Sequence, residues 1–337
     1  MKVAILFDAG GDHWDQKDVI SVVDNAREIQ GCLKARGYET TLVPIQLGEF
    51  GWLNRVRRAD VVFNLCEGID GESRYEDYVV GALELANIPY TGCRPWAVAV
   101  CHRKHVANTL LSRNGVPIPP FALAQGNKIP NDLNLPAIVK PAAEDASVGI
   151  DAGSVCSTKK ALRKRLAEMA EQFEEVLVQE YIEGREFNVG FVGKQMLPIA
   201  ELRFDEMPEG CPAILTYSAK WDVGSAEDMG SQPVCPADLA SDVTKRVGQV
   251  ARQAWEYLTG AEGYGRVDMR LDASGQPYVL EVNPNPDLSD TAGLSRMARV
   301  YGWGYDELLG RIVEEAMSRS RSTQAAADAL KAGAATV

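Results

Sequence analysis

Two alternating apolar and polar runs lie near the C-terminal end of the chain, at 264–272 and 277–283. Alternation with a period of two is typical of β-strands, and the connection Ala-Ser-Gly-Gln at 273–276 is typical of a hairpin loop. Because side chains alternate across a strand, the apolar positions of both runs share one face. We expect that face to pack in a core, and it comprises Val267, Met269, Leu271, Leu280 and Val282.

The opposite face of the predicted hairpin is polar and acidic. A loop of four residues places Asp268 opposite Glu281, and it places Arg266 opposite Asn283 on the same face. Two carboxylates in opposite positions repel each other unless a cation lies between them. Carboxylate and amide oxygens are ligands that Mg²⁺ accepts and shares with substrate phosphates. The pattern therefore predicts a magnesium site, and the alternative is a solvated face closed by salt bridges of Arg266.

Charge and cysteine content restrict the class of protein. The 337 residues contain 35 Lys and Arg against 47 Asp and Glu, a net charge of −12, which disfavours a nucleic-acid or anionic-membrane binder. Seven scattered cysteines without a Cys-x-x-Cys pair favour reduced thiols over disulfides or zinc. The apolar run at 1–8 is too short for a signal peptide or a membrane span. We expect a cytoplasmic protein with no membrane and no nucleic-acid partner.

The first part of the chain alternates short apolar runs with helical patterns, which is typical of an open α/β unit. Strands are predicted at 3–8, 40–45 and 61–66, and helices at 18–36 and 76–86.

The middle of the chain has the pattern of a small α+β module. Helices are predicted at 104–114 and 159–173, strands at 135–141 and 176–180, and a hairpin across 186–201. An amphipathic helix is then predicted at Tyr305–Ser318, and the polar, Ala-rich end of the chain is expected to fray.

Several residues of the middle module are candidates for nucleotide binding, although the chain has no P-loop motif. Lys140 ends an apolar strand before the small-residue loop 142–149, whose backbone N–H groups can bind phosphates. Lys104 begins a helix. Either lysine alone is typical of a surface charge, but beside a magnesium site both become candidate phosphate ligands. Glu180 and Glu186 are candidates for ribose hydroxyls, with a solvated loop as the alternative.

In chain order, these motifs resemble the ATP-grasp superfamily, specifically its D-alanine–D-alanine ligase-like branch. The resemblance covers roughly residues 1 to 320. The segments that carry it are 88–92 with Lys104, 138–141 with 147–149, 178–180 with 184–186, 217–221, 265–268 and 281–283.

The resemblance implies an α/β and α+β architecture, namely an ATP-grasp fold with an N-terminal Rossmann-like domain. The expected parts are a pre-ATP-grasp α/β domain at 1–97, a central small ATP-grasp domain at 98–188, a C-terminal ATP-grasp domain at 189–320 and a flexible tail at 321–337. ATP would lie between the two ATP-grasp domains.

The resemblance also implies cofactors and residue roles. The cofactors would be ATP and Mg²⁺, with Mn²⁺ as a substitute. Phosphates would meet Lys104, Lys140 and Lys220, adenine would meet Glu180, Tyr181 and Ile182, and ribose would meet Glu186. The metal ligands would be Asp268, Glu281 and Asn283. The catalytic set would be Arg266, Lys220 and Ser147, with Arg266 stabilising an acylphosphate and a tetrahedral intermediate. The segments 142–149 and 217–221 would close over the phosphates.

The substrate side departs from the pattern of D-alanine–D-alanine ligases. The stretch 64–74 lacks their His-Gly and Gly-Glu-Asp-Gly motifs, Trp221 replaces a pocket tyrosine, and Asp287 lies near the place of a substrate carboxylate. We take Glu67, Arg74, Trp221 and Asp287 as candidate substrate contacts. For Arg74, an ion pair with Glu72 or Glu76 is the alternative.

The leading hypothesis is an ATP- and Mg²⁺-dependent ligase that joins a small-molecule carboxylate to an amine, forming an amide or dipeptide bond. A D-alanine–D-alanine ligase of cell-wall synthesis is the nearest alternative. A nucleotide-binding regulator without catalysis and a kinase that stops at the acylphosphate are two others. The family resemblance makes a homodimer the default expectation.

Overall fold

A computed structural model describes residues 1–10, 16–124, 133–145 and 147–334. Three separate sheets organise these residues, one each in the N-terminal, central and C-terminal parts of the chain.

The N-terminal sheet is parallel, with β1 between its two neighbours. Its strands are β1 (Lys2–Asp8), β2 (Glu39–Ile45) and β3 (Val61–Asn64), and its helices are α1 (Gln16–Ala35), α2 (Trp52–Val56) and α3 (Glu76–Leu85). Every residue of β1 beyond Lys2 is buried, since helices cover both faces of the sheet. The predicted α/β unit is confirmed.

The central sheet is antiparallel in the order β4-β7-β5-β6. Its elements are α4 (Pro95–His102), α5 (Lys104–Arg113), β4 (Phe121–Leu123), β5 (Ala137–Pro141), β6 (Val155–Cys156), α6 (Lys159–Ala170) and β7 (Val176–Glu180). Leu162, Leu166 and Met169 of α6 pack on the sheet and form its core. Helix α4 was not predicted, whereas the other helices and the strands β5 and β7 lie where expected.

The C-terminal sheet has the order β11-β10-β8-β12-β13, with β9 beside β8. Its elements are β8 (Arg185–Val192), β9 (Gln195–Met196), β10 (Ala200–Arg203), α7 (Tyr217–Trp221), α8 (Ala226–Gly230), β11 (Gln232–Val234), α9 (Ser241–Thr259), β12 (Tyr264–Leu271), β13 (Pro277–Pro284), α10 (Gly293–Tyr301) and α11 (Tyr305–Ala334). Helix α9 was not predicted, although it packs Val247, Ala251 and Trp255 on this sheet.

The register of β12 and β13 agrees with the prediction at the polar positions, for a reason that the sequence did not reveal. Arg266 pairs with Asn283 and Asp268 pairs with Glu281, as expected. The loop is one residue longer than expected, because Leu271 pairs with Pro277, and a bulge beside Asp268 restores the register. The bulge also corrects one core assignment: Val279 is fully buried, whereas Leu280 lines a cleft.

The last helix extends well past its predicted end at Ser318, and α11 is helical as far as Ala334. Arg319 is buried and donates to the carbonyl oxygens of Tyr90 and Gly92, both at 2.6 Å, so it belongs to the folded body. The backbone at 321–334 is helical where a tail was expected. Across the described ranges, no helix combines the length and apolar character needed to span a membrane.

Candidate active site

A cleft of about 350 Å³ lies between the central and C-terminal sheets. Both sheets contribute lining residues. The polar face of β12 and β13 therefore lies across the cleft from Lys104 and Lys140 of the central part. Most of the predicted site residues line this cleft: Lys104, Lys140, Ser147, Glu180, Tyr181, Ile182, Glu186, Lys220, Arg266, Asp268 and Glu281.

Asp268 is the most heavily bonded carboxylate of the polar face. Arg266 holds it with two parallel bonds, Nε to Oδ1 at 2.6 Å and an NH2 nitrogen to Oδ2 at 2.8 Å. The side-chain amides of Asn188 and Asn283 donate to the same carboxylate at 2.7 and 2.8 Å. Burial disfavours the charge of Arg266, but Asp268 outweighs it and raises the guanidinium pKa. The Arg266 salt bridge, which was the alternative to a magnesium site on this face, is therefore present.

Glu281 is surrounded by cations. Its Oε2 lies 3.4 Å from Nζ of Lys104, and its Oε1 accepts from Asn283 at 3.3 Å. Burial alone would raise its pKa, but the charges of Lys104, Lys140, Lys220 and Arg266 lower it to about 2. Glu281 is consequently ionised at neutral pH, beside an excess of positive charge suited to a polyanion.

The three predicted phosphate lysines have different surroundings. Lys104 is buried and contacts Asp145 at 2.9 Å, and its pKa is raised because neighbouring carboxylates outweigh burial. Lys140 is buried at the end of β5, and burial lowers its pKa to about 8. Lys220 projects from α7 and is exposed, yet desolvation by the surrounding protein and the nearby charge of Arg266 lower its pKa. Bringing three ammonium groups together is unfavourable unless an anion joins them.

Arg270 lines the end of the cleft where the family resemblance leads us to expect the base and the ribose. It is 2% exposed, and it pairs with Oε2 of Glu186 at 2.8 and 3.0 Å. It also donates to the carbonyl of Ile182 at 2.9 Å and lies 4.7 Å from the centre of the Tyr181 ring. Arg270 was not predicted as a site residue, although the alternation that places Arg266 on the polar face places Arg270 there too.

Two further predicted residues of this region are held by local bonds. Glu180 accepts from the backbone and side-chain nitrogens of Asn134, at 2.8 and 2.9 Å. Ser147 has a positive φ of 61°, and its hydroxyl donates to the carbonyl of Leu215 at 2.9 Å. Ser147 thus ties the loop after β5 to the segment before α7. Gln179, also missed, lines the cleft with a buried side-chain nitrogen that has no hydrogen-bond partner among the described residues.

The chemistry of the donor set fits magnesium. Asp268 and Glu281 face each other, and the Asn283 amide bonds to both of them. Within the described ranges no group of three or more His, Cys, Asp or Glu side chains is arranged to hold a metal alone. Two carboxylates and an amide are the partial ligand set of a cation that also binds phosphates.

The four candidate substrate residues lie outside the cleft lining. Glu67 is exposed. Desolvation by the surrounding protein and the charges of Asp287 and Asp145 nevertheless raise its pKa to about 7, whereas the charge of Lys220 opposes this shift. Asp287 is exposed and accepts from the backbone and hydroxyl of Ser289, both at 2.8 Å.

The other two members of that set are also surface-exposed. Arg74 is 70% exposed and pairs with Glu72 at 3.1 Å, which is the ion-pair alternative. The Trp221 ring lies 6.3 Å from the ring of Tyr217 and is 54% exposed.

Comparisons with known proteins place the chain in a family. Residues 110–314 match the family described as D-ala D-ala ligase C-terminus. The D-alanine–D-alanine ligase of Bordetella pertussis is 36% identical over 251 residues, covering 72% of this chain and 74% of that protein. That of Bordetella avium is 32% identical, covering 77% and 79%. An uncharacterised Sinorhizobium fredii protein, y4sG, is 32% identical and covers 87% and 88%.

The fold has solved counterparts as well. A D-alanine–D-alanine ligase of Bacillus anthracis complexed with ATP superposes with a TM-score of 0.75 at 22% identity, over 96% of this chain and 99% of that one. A second structure of the enzyme gives a TM-score of 0.78. These matches confirm the ATP-grasp fold and the mixed α/β class. The chain belongs to the D-alanine–D-alanine ligase family of the ATP-grasp superfamily and is an ATP-dependent, ADP-forming carbon–nitrogen ligase.

Proposed function

We propose that this protein uses ATP and Mg²⁺ to join a small-molecule carboxylate to an amine through an acylphosphate, on substrates that resemble amino acids. The observation that carries the proposal is the convergence of Lys104, Lys140 and Lys220 on one cleft, opposite Asp268 and Glu281. This arrangement supplies positive charge for a triphosphate and oxygen ligands for a divalent cation. Mn²⁺ is a chemically reasonable replacement for Mg²⁺.

In the first step, formation of the acylphosphate, the lysines and the polar face of β12 and β13 have different roles. Lys104, Lys140 and Lys220 bind and orient the phosphates, while Asp268, Glu281 and Asn283 would hold the metal. When bound, Mg²⁺ would neutralise charge on the phosphate oxygens. A carboxylate oxygen attacks the γ-phosphorus, the bond to the leaving ADP oxygen breaks, and ADP retains the electron pair. The product is an acylphosphate.

Arg266 serves the second step. The amine attacks the acyl carbon, and negative charge develops on the former carbonyl oxygen. Asp268 holds the guanidinium of Arg266 by two bonds, so this cation is positioned before the charge develops. Phosphate then leaves with the electron pair, the nitrogen loses a proton, and the amide remains. Ser147 positions the loop that follows β5 by donating a hydrogen bond to the carbonyl oxygen of Leu215.

The base and ribose of ATP are assigned to the other end of the cleft. We place adenine against Glu180, Tyr181 and Ile182, where Arg270 fixes the Ile182 carbonyl. Ribose would lie at Glu186, which Arg270 holds in place. On the substrate side we retain Glu67, Trp221 and Asp287 as candidate contacts, because the charges of Asp287 and Lys220 both act on the Glu67 carboxyl and Trp221 follows Lys220 in α7.

Turnover with panels of acids and amines tests the proposal. The protein is incubated with ATP, Mg²⁺ and pairs of compounds, and phosphate release and product mass are followed. We expect phosphate release that requires both an acid and an amine, and none from Glu281→Gln. Formation of ADP and an acylphosphate, with no amide product, would instead indicate a kinase, and ATP binding without any turnover would indicate a regulator.

A D-alanine–D-alanine ligase is the second candidate function, favoured by the activity named for the Bordetella relatives. Turnover with ATP and D-alanine as the only organic substrate tests this candidate, and a D-alanyl-D-alanine product would establish the activity. Gel filtration tests the homodimer that the family suggests, and cell fractionation tests the cytoplasmic location suggested by the free cysteines.

A further inference from the structure

The ammonium group of Lys104 forms hydrogen bonds with the loop that follows β5. Its Nζ lies 2.9 Å from Oδ1 of Asp145 and donates to the carbonyl oxygen of Glu144 at 2.5 Å. Lys104 is only 6% exposed, and its remaining ion-pair partner among the described residues is Glu281, at 3.4 Å. Asp145 and Lys104 line the same cleft. The Asp145 carboxylate is therefore bonded to the Lys104 ammonium group, which the proposed function assigns to phosphate binding.

A phosphate oxygen and the Asp145 carboxylate are chemically similar partners for an ammonium group. Both are anionic acceptors, and both form charge-assisted hydrogen bonds with lysine. Lys104 is buried, with few directions left for another acceptor. Binding of a phosphate at Lys104 therefore has to weaken or replace its bond to Asp145.

A second side chain, the imidazole of His102, lies close enough to bind the released carboxylate. Nδ1 of His102 lies 3.6 Å from Oδ2 of Asp145 and 3.7 Å from Oε2 of Glu76. The other ring nitrogen, Nε2, is buried with no hydrogen-bond partner among the described residues. Because helix α4 ends at His102 and α5 begins at Lys104, the imidazole and the ammonium group contact Asp145 from one short segment.

We propose that Asp145 is an internal counter-ion of Lys104 that a nucleotide phosphate must displace, and that His102 receives the displaced carboxylate. This inference rests on the proposed function, since it needs Lys104 to bind phosphate. It assigns Asp145 and His102 as positioning residues that set nucleotide affinity without touching the reacting atoms.

Calorimetric titration of the full chain with ATP, ADP and adenosine tests the role of Asp145. In Asp145→Asn the competing charge is gone, so ATP and ADP should bind about tenfold more tightly, equivalent to about 1.4 kcal/mol. Adenosine, which has no phosphate, should bind with unchanged affinity. Asp145→Ser, which removes the carboxylate in a different way, should give the same pattern if Asp145→Asn folds poorly.

Glu144→Gln is the matched control, because it removes one charge from the same loop but keeps the backbone carbonyl that contacts Lys104. We expect it to tighten ATP binding less than about twofold, because among the described residues it is the carboxylate of Asp145, and not that of Glu144, that forms an ion pair with Lys104. Equal tightening by both variants, equal tightening for adenosine, or unchanged or weaker ATP binding in Asp145→Asn would each overturn the counter-ion role.

His102 is tested by a double-mutant cycle. His102→Gln should weaken ATP binding about threefold when Asp145 is present and leave it unchanged in the Asp145→Asn background. The same loss in both backgrounds would show that His102 does not receive Asp145.

Lys104→Met separates this inference from the proposed function. Unchanged ATP affinity in that variant would refute the phosphate role of Lys104 itself. Weaker ATP binding in Lys104→Met without tightening in Asp145→Asn would refute only the counter-ion role. Thermal unfolding of each variant confirms that it is folded.

Discussion

Nζ of Lys104 lies 3.4 Å from Oε2 of Glu281, so the first residue of α5 contacts the polar face of β13 across the cleft. This contact joins a cation of the central part of the chain to an acidic residue of the C-terminal sheet. Lys140, Lys220 and Arg266 add to the same field, and their combined charge keeps Glu281 ionised. The site is thus held together by opposite charges before any ligand binds.

Glu281 should link this charge arrangement to acid stability. A carboxyl whose pKa is lower in the folded than in the unfolded protein stabilises the fold above the unfolded value of about 4.3. This contribution is lost as the pH falls towards the folded value of about 2. We expect the free energy of unfolding of the wild type to fall more steeply than that of Glu281→Gln across this window. Denaturant titrations at several pH values measure it, and identical slopes would contradict the assignment.

Arg266→Lys should preserve the charge but lose the two parallel bonds to Asp268. Because the proposed role of Arg266 lies in the second step, we expect kcat to fall about a hundredfold while the Kd for ATP changes less than about threefold. Steady-state kinetics and calorimetry give the two values. A large loss of ATP affinity with unchanged kcat would place Arg266 in nucleotide binding instead.

Lys140 should take up a proton when nucleotide binds. Its pKa in the free protein is about 8, so roughly half of the molecules carry the charge at pH 8, and an added phosphate favours the charged form. We expect uptake of up to about half a proton at pH 8 and little at pH 6.5. Calorimetry of ADP binding in buffers of different ionisation enthalpy measures this uptake. Lys140→Met is the control, and equal uptake in that variant would exclude Lys140 as the source.

Gly265 allows the strand that carries Arg266 to pack on α9. A Cβ at Gly265 would lie 2.3 Å from Cζ3 of the buried Trp255. Gly265→Ala should therefore lower the free energy of unfolding by about 1–3 kcal/mol and reduce turnover by shifting Arg266. Gly31→Ala, in helix α1 with nothing within 4 Å of the new Cβ, should be neutral or stabilising. Equal effects of the two variants in denaturant titrations would contradict this packing argument.

The sequence predicted the polar face of the hairpin because alternation and charge are local properties. Helix α9 could also have been predicted, since Val243, Val247, Ala251, Ala254 and Leu258 follow a helical period. The bulge beside Asp268 could not, because it depends on how β13 pairs rather than on its own pattern. Its effect happened to cancel an error of one residue in loop length.

The partners of the site residues were less accessible to sequence reasoning. Nothing local indicates that Asp145 pairs with Lys104, or that Arg319 bonds to the carbonyls of Tyr90 and Gly92. These contacts join segments far apart in the chain, and only packing of the three sheets brings them together. The substrate side is harder still, since exposed residues such as Asp287 have few contacts that would reveal a role.

Transfer of isotope from the acid substrate to phosphate is the most direct measurement of the central proposal. An acid identified by the turnover screen, labelled with ¹⁸O in its carboxylate, is converted with ATP and its amine partner. If the carboxylate attacks the γ-phosphorus, one labelled oxygen should appear in each phosphate released, as mass spectrometry would show. Unlabelled phosphate, with amide still formed, would contradict the acylphosphate route.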